Sequence, residues 1–226
     1  MNVLTNLINE FGRPELLRIV ALTLRVTGAA LFIATIVGVP LGALLGLVRF
    51  RGQRAIMLVL YTGMGLPPVV VGLFVYLLLS HSGPMGSLGW LFTPAAMVTA
   101  QTVIAFPLVS GLTMSAVAGV DQDVRLQVVA LGASRWQSLW VVIQEARVGL
   151  TAAIVVAFGG IISEVGAVML VGGNVEGQTR VLTTAIVLYT RQGDFAMALA
   201  LGIVLIGIAI AANILLLQLQ GRLRDR

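Results

Sequence analysis

Long uncharged apolar stretches alternate along this chain with short clusters of arginine, glycine and proline. Five stretches are long enough to cross a hydrocarbon layer of about 30 Å, which takes about 20 helical residues. They run approximately Thr27–Val48, Ala55–Ser80, Pro94–Ala118, Val148–Val171 and Phe195–Leu217. Each is predicted to be helical, because an unpaired backbone polar group in lipid is strongly unfavourable. The run Val181–Thr190 is too short to cross and predicts a half-helix or a surface helix. Met1–Arg25 mixes Glu10, Arg13, Glu15, Arg18 and Arg25 with Leu16, Leu17, Val20, Ala21 and Leu24 at helical spacing. It predicts an amphipathic helix on the membrane surface leading into the first span. A cleaved leader is not expected, since the apolar run that follows is too long for one.

The longest polar interruption is Val120–Leu150, centred on Ala130-Leu131-Gly132-Ala133-Ser134-Arg135-Trp136. Gly132 suits the position just past a helix end, where a residue without a Cβ adopts the left-handed conformation at little cost. Ser134 and Gln137 stand at capping-box spacing and predict the start of a second helix. The pattern is a helix–glycine–helix elbow. By itself it is compatible with a plug for a partner and with an ordinary loop between spans.

Composition narrows the class. Of the 226 residues 58% are hydrophobic and only 10% charged, and the mean hydropathy is +1.03. A soluble domain could not cover such a core with polar surface. The expectation is an all-α, multi-pass integral membrane protein forming one domain, 1–226. The net charge of +5 comes from fourteen arginines and no lysine. In a membrane chain this excess reports topology rather than nucleic-acid binding. Nine arginines (Arg49, Arg51, Arg54, Arg125, Arg135, Arg147, Arg222, Arg224, Arg226) fall on one side of five spans and five on the other. The positive-inside rule then puts the N-terminus outside, and residues 119–147 and the C-terminus in the cytoplasm. No cysteine is present, so neither disulfides nor thiolate metal sites are available. No internal repeat is visible, and five spans do not divide into the paired halves common among secondary transporters.

Within the spans, Pro67-Pro68 in GMGLPPVVVGL predicts a kink or break near Gly65. It can serve as a hinge, line a pathway, or be a packing kink; Pro40 and Pro107 invite the same question. Glu164 in GGIISEVGAV is an intramembrane carboxylate, beside Gly159, Gly160 and Gly166, which allow close helix approach. It suits a proton or cation site, or a structural ion pair with Arg180. The loop Gly172-Gly173-Asn174-Val175-Glu176-Gly177-Gln178-Thr179-Arg180 has amides and a guanidinium for an anion, or ordinary turn chemistry. His81 lacks any catalytic companion. No nucleophile–base pair, metal-ligand spacing or nucleotide-binding loop is found, so no catalytic residue and no cofactor are expected in this chain. If ATP drives transport, another chain must hold it.

The elbow resembles the cytoplasmic loop of membrane subunits of ATP-binding-cassette importers. Leu131-Gly132-Ala133-Ser134-Arg135-Trp136 stands where that loop stands, between the third and fourth spans. The family's Glu-Ala-Ala falls here on Leu126-Gln127-Val128 and its Leu-Pro on Ile143-Gln144, so contacts tied to the missing glutamate do not carry over. Leu66-Pro67-Pro68-Val69-Val70-Val71-Gly72, Ser163-Glu164-Val165-Gly166-Ala167 and Gly172–Thr184 are similar to the molybdate, tungstate and sulfate branch, and most of all to tungstate-type permeases. The resemblance implies a type I importer permease fold in a prokaryotic inner membrane. It also implies a homodimer around the pathway, two partner ATPases that bind ATP and Mg, and an extracytoplasmic oxyanion-binding protein. Residues 130–136 would then couple to the ATPase. Molybdate or sulfate is the alternative cargo, and a proton-coupled carrier using Glu164 the alternative class.

Overall fold

The computed structural model describes residues 11–224, except the side chains of Arg125, Arg135 and residues 222–224. The regular elements among these residues are all helical: α1 (Pro14–Leu47), α2 (Gln53–Gly65), α3 (Pro68–Leu79), α4 (Pro94–Ala118), α5 (Gln122–Ala130), α6 (Arg135–Glu145), α7 (Arg147–Ile162), α8 (Gly166–Gly172), α9 (Leu182–Gln192) and α10 (Phe195–Arg224), with one 3-10 turn at Gly86–Leu88.

Helix α1 and helix α4 form the centre. They run in the same direction, with Gly38 beside Val109 and Ser110, Gly42 beside Ser110 and Thr113, and Gly46 beside Met114 and Val117. A Cβ on Gly42 would collide with the Ser110 carbonyl oxygen, so the two backbones are as close as glycine permits. The spacing Gly38-x3-Gly42-x3-Gly46 is one helix face and was open to sequence reasoning. Helix α7 runs antiparallel to α4: the Gln101 side-chain amide donates to the Ile161 carbonyl at 3.0 Å, and Gly149 faces Ala116. A separate core joins the start of α1 to α9 and the start of α10 through Leu16, Ile19, Leu182, Met197 and Leu201.

Helix boundaries differ from the sequence expectation at four places. Pro14 starts a single 34-residue helix, where a surface helix and a separate span were expected. Nothing between Pro14 and Thr27 punctuates a helix, so the two expected pieces fuse. The expected surface segment Met1–Glu10 lies outside the described residues. Ala55–Ser80 is two helices bent by 105°, because Pro67 and Pro68 have no N–H to continue the ladder, and Pro68 opens α3. Val148–Val171 breaks at Ser163–Val165 into α7 and α8. The last helix continues past Leu217 to Arg224.

Among the described residues α1, α4 and α10 are long and apolar enough to cross a membrane alone. Counting the bent pairs α2–α3 and α6–α7 each as one crossing raises three to five.

Candidate functional site

At the elbow, Asp121 caps α5 by accepting from the Asp123 amide at 3.0 Å. The helix closes at Leu131, and Gly132 takes φ +82, donating to Val129 while Ala133 donates to Val128. Ser134 Oγ then accepts from the Gln137 amide at 3.4 Å, and Gln137 Oε1 accepts from the Ser134 amide at 2.8 Å, forming a reciprocal capping box at the start of α6. These local bonds shape the elbow, and Val142 of α6 anchors it to the bundle by packing with Ala43, Val117 and Ala146. What it presents is apolar: Leu131 is 87% exposed and Trp136 82%. Trp140, one turn beyond Trp136 on the same face, is also exposed, as are Leu126 and Val129. A shallow groove of about 640 Å³ lies among Val128, Leu131, Trp136 and Trp140. So much aromatic and aliphatic surface around one ordered turn has the chemistry of an interface centre. Trp140 was missed from sequence although its spacing from Trp136 was legible.

The second region brings two breaks together. Helix α3 packs on α8 so that Gly72 sits against Ala167 and Val69 against Gly166. The Pro67-Pro68 corner and the Ser163–Val165 corner are therefore neighbours, as sequence separation could not have told. Gly65, beside the first corner, has open space around it. Glu164 is half-buried, and its Oε1 accepts from the Ala167 amide at 3.0 Å in the first turn of α8. Its backbone carbonyl accepts from Thr183 Oγ1 at 2.9 Å. Ser163 Oγ bonds back to the Gly159 carbonyl at 2.8 Å. These side chains offer the backbone local partners in place of the helical ladder, which is the physical reason the span breaks here.

Glu164 is not paired with Arg180, so the ion pair, one of the roles the sequence left open for it, does not form. Arg180 Nη1 donates instead to Glu15 Oε1 at 3.1 Å and lies 3.6 Å from Glu176. The Tyr189 hydroxyl also donates to Glu15 Oε1. Burial and the neighbouring carboxylate push the Tyr189 hydroxyl up to about 12, so it stays a donor. Glu15 and Tyr189 are 174 residues apart, which kept this cluster out of reach of sequence reasoning.

In the 172–180 loop the amides of Gln178, Thr179 and Arg180 all donate to the Val175 carbonyl. Thr179 Oγ1 accepts from the Val175 amide at 2.9 Å and donates to Gly172, while Asn174 and Gly173 take left-handed conformations. Most of the loop's amides are thus spent on its own turn. Buried Asn174 Oδ1 and Arg180 Nε have no hydrogen-bond partner. His81 sits in the exposed turn after α3, away from both regions. Among the described residues no cluster of metal-ligating side chains occurs.

A helical bundle with long apolar spans and an exposed, capped apolar elbow defines a membrane protein with a surface suited to docking. The chain belongs to the family described as binding-protein-dependent transport system inner membrane component, whose profile matches residues 38–225. It is therefore a multi-pass inner membrane permease subunit of the ATP-binding-cassette class. It is 42% identical over 207 residues to the tungstate uptake system permease protein TupB of Peptoclostridium acidaminophilum, covering 92% of this chain and 91% of that one. It is 40% identical over 224 residues to a probable anion ABC transporter permease protein of Haloferax volcanii, covering 97% and 95%. A solved inward-facing structure of the MetNI methionine ABC transporter has the same fold, with a TM-score of 0.75 at 18% identity over 92% of this chain and 96% of that one.

Proposed function

We propose that this chain is the permease subunit of an ATP-driven importer of a tetrahedral oxyanion, with tungstate as the cargo. The observation that carries the proposal is the near-full-length similarity to a tungstate uptake permease, which runs through the Pro67-Pro68, Glu164 and Gly172–Thr184 stretches. Five crossings fit the helix directions. Because α1 and α4 run the same way, a return crossing by the bent pair α2–α3 between them suits the proposal. Helix α7 runs back along α4, and the starts of α1 and α10 share one core, an arrangement that suits a fifth crossing by α10. With the N-terminus outside, the elbow faces the cytoplasm.

Two copies would enclose the pathway, flanked by two ATPases that bind ATP and Mg, with an extracytoplasmic binding protein delivering the anion. Leu131 and Trp136 are the apolar anchors toward the ATPase, Ala130 and Ala133 complete the elbow, Ser134 holds its shape, and Arg135 supplies a rim contact. Gly132 permits close approach. Closure of the ATPases around ATP would draw the two elbows together and turn the pathway outward. The adjoining corners at Gly65-Leu66-Pro67-Pro68 and Glu164-Val165-Gly166 are the hinge candidates. Gly172, Gly173, Asn174, Gln178, Thr179 and Arg180 frame the outer mouth. Glu164 accepts from the Ala167 amide in the first turn of α8, which suits a structural role at this corner.

The test is uptake into proteoliposomes holding this chain, its ATPase and its binding protein. Tungstate transport that needs ATP and all three components is expected. Molybdate or sulfate transported in preference would reassign the cargo, and proton-driven uptake by the chain alone would overturn the importer reading.

A further inference from the structure

We propose that the Arg49–Arg54 turn is a binding site for the headgroup of an anionic phospholipid. The segment Arg49-Phe50-Arg51-Gly52-Gln53-Arg54 carries three guanidinium groups within six residues, and no acidic residue occurs in the sequence between Glu15 and Asp121. Arg49, Arg51 and Arg54 are all exposed, and among the described residues no hydrogen bond or ion pair engages their guanidinium groups. The turn is nevertheless ordered: the Gln53 side-chain amide donates to the Leu45 carbonyl at 2.7 Å and ties the start of α2 to the end of α1. A cavity of about 630 Å³ opens between the arginines, Phe50 and Met57.

Position decides the ligand. The uncharged stretch Val26–Leu47 rises ~33 Å as helix, which fills a hydrocarbon layer of about 30 Å. Arg49 therefore emerges at the depth of the phosphates. Directly beside the turn Phe50, Ile56, Leu58 and Val59 expose apolar surface, so an acyl chain has a place to lie while its phosphate meets the arginines. Guanidinium groups bind phosphate oxygens in pairs and shed their hydration more readily than an ammonium. A free anion would use the charges and leave the apolar face idle. A phospholipid uses both.

The experiment is a titration of the purified full chain in neutral detergent with phosphatidylglycerol or phosphatidylcholine, reading the thermal-unfolding midpoint and lipid retention by native mass spectrometry. Wild type is expected to retain phosphatidylglycerol preferentially and to unfold at a higher temperature with it, an effect that fades as salt rises. Each of Arg49→Gln, Arg51→Gln and Arg54→Gln should weaken phosphatidylglycerol retention roughly fivefold, and the triple variant should lose the preference while behaving as wild type in phosphatidylcholine. A charge-matched triple variant elsewhere, Arg18→Gln with Arg25→Gln and Arg191→Gln, should keep it. The proposal is overturned if the three single variants bind like wild type, if the charge-matched control loses as much, or if inorganic phosphate alone reproduces the stabilisation. Loss of ATPase assembly with lipid preference unchanged would also overturn it, by making the turn a protein contact.

Discussion

Arg180 and Glu15 join the 172–180 loop to the start of α1 across 165 residues of sequence. The arginine side chain is mostly buried and the carboxylate is about a third exposed. Arg180→Gln should therefore cost about 1–2 kcal/mol of stability, between the values for exposed and buried pairs. Thermal unfolding in one detergent, with Glu15→Gln in a double-mutant cycle, measures it; additive effects would mean the pair is not coupled. Tyr189 adds a pH dependence. Its folded-state pKa of about 12 lies above the ordinary 10, so its contribution is complete below pH 10 and is lost as pH rises through 12. Tyr189→Phe should flatten that alkaline part of the stability curve. At the α1–α4 contact, Gly42→Leu should destabilise by at least the ~1–3 kcal/mol of overpacking, since its first added atom already meets the Ser110 carbonyl. Unchanged stability in that variant would show that the helices separate freely. The importance of Gly42 was visible in its four-residue spacing from Gly38 and Gly46; the Glu15–Arg180 pair was visible in nothing local.

Helix ends follow sequence rules wherever the signals are local. Asp121, Gly132 and Ser134 terminate or start α5 and α6 through their own short-range bonds, so the elbow could be read before any tertiary contact was known. Ser134→Ala should remove about 1 kcal/mol from α6 and fray its first turn. Hydrogen exchange would show faster amides at Trp136 and Gln137 with the spans unaffected. The break at Glu164 was not legible, because a lone glutamate in an apolar run carries no stop signal. Only the combination of Ser163 back-bonding, the Glu164–Ala167 bond and the nearby Thr183 makes the interruption favourable. The same limitation merged α2 and α3 into one expected span: prolines announced a kink, but its 105° size depends on what each half packs against.

For the molecule as a whole, the elbow and the topology make separate predictions. Gly132→Trp should abolish ATP-coupled uptake while the chain still inserts in the membrane, because it adds bulk at the centre of the docking surface and strains a residue at φ +82. Trp136→Ala should weaken ATPase association by ~2 kcal/mol or more if it is an interface anchor. Pull-down of the ATPase by the wild-type chain serves as the comparison. The chain has no cysteine, so single cysteines report sidedness cleanly. Gln178→Cys should react with an impermeant thiol reagent from outside, and Gln122→Cys only after permeabilisation. The reverse pattern would invert the proposed orientation.

Hydrophobic run length and arginine placement alone determined a helical, multi-pass membrane chain, because the bilayer imposes its thickness and its charge asymmetry on any sequence that crosses it. The elbow was determined there too, since capping is chemistry between residues three and four apart. Tertiary structure alone decided which breaks face each other, which carboxylate neutralises Arg180, and that Leu131 and Trp136 stay uncovered. These depend on the close approach of α1 to α4 and of α3 to α8, distances that are set by side chains far apart in the chain.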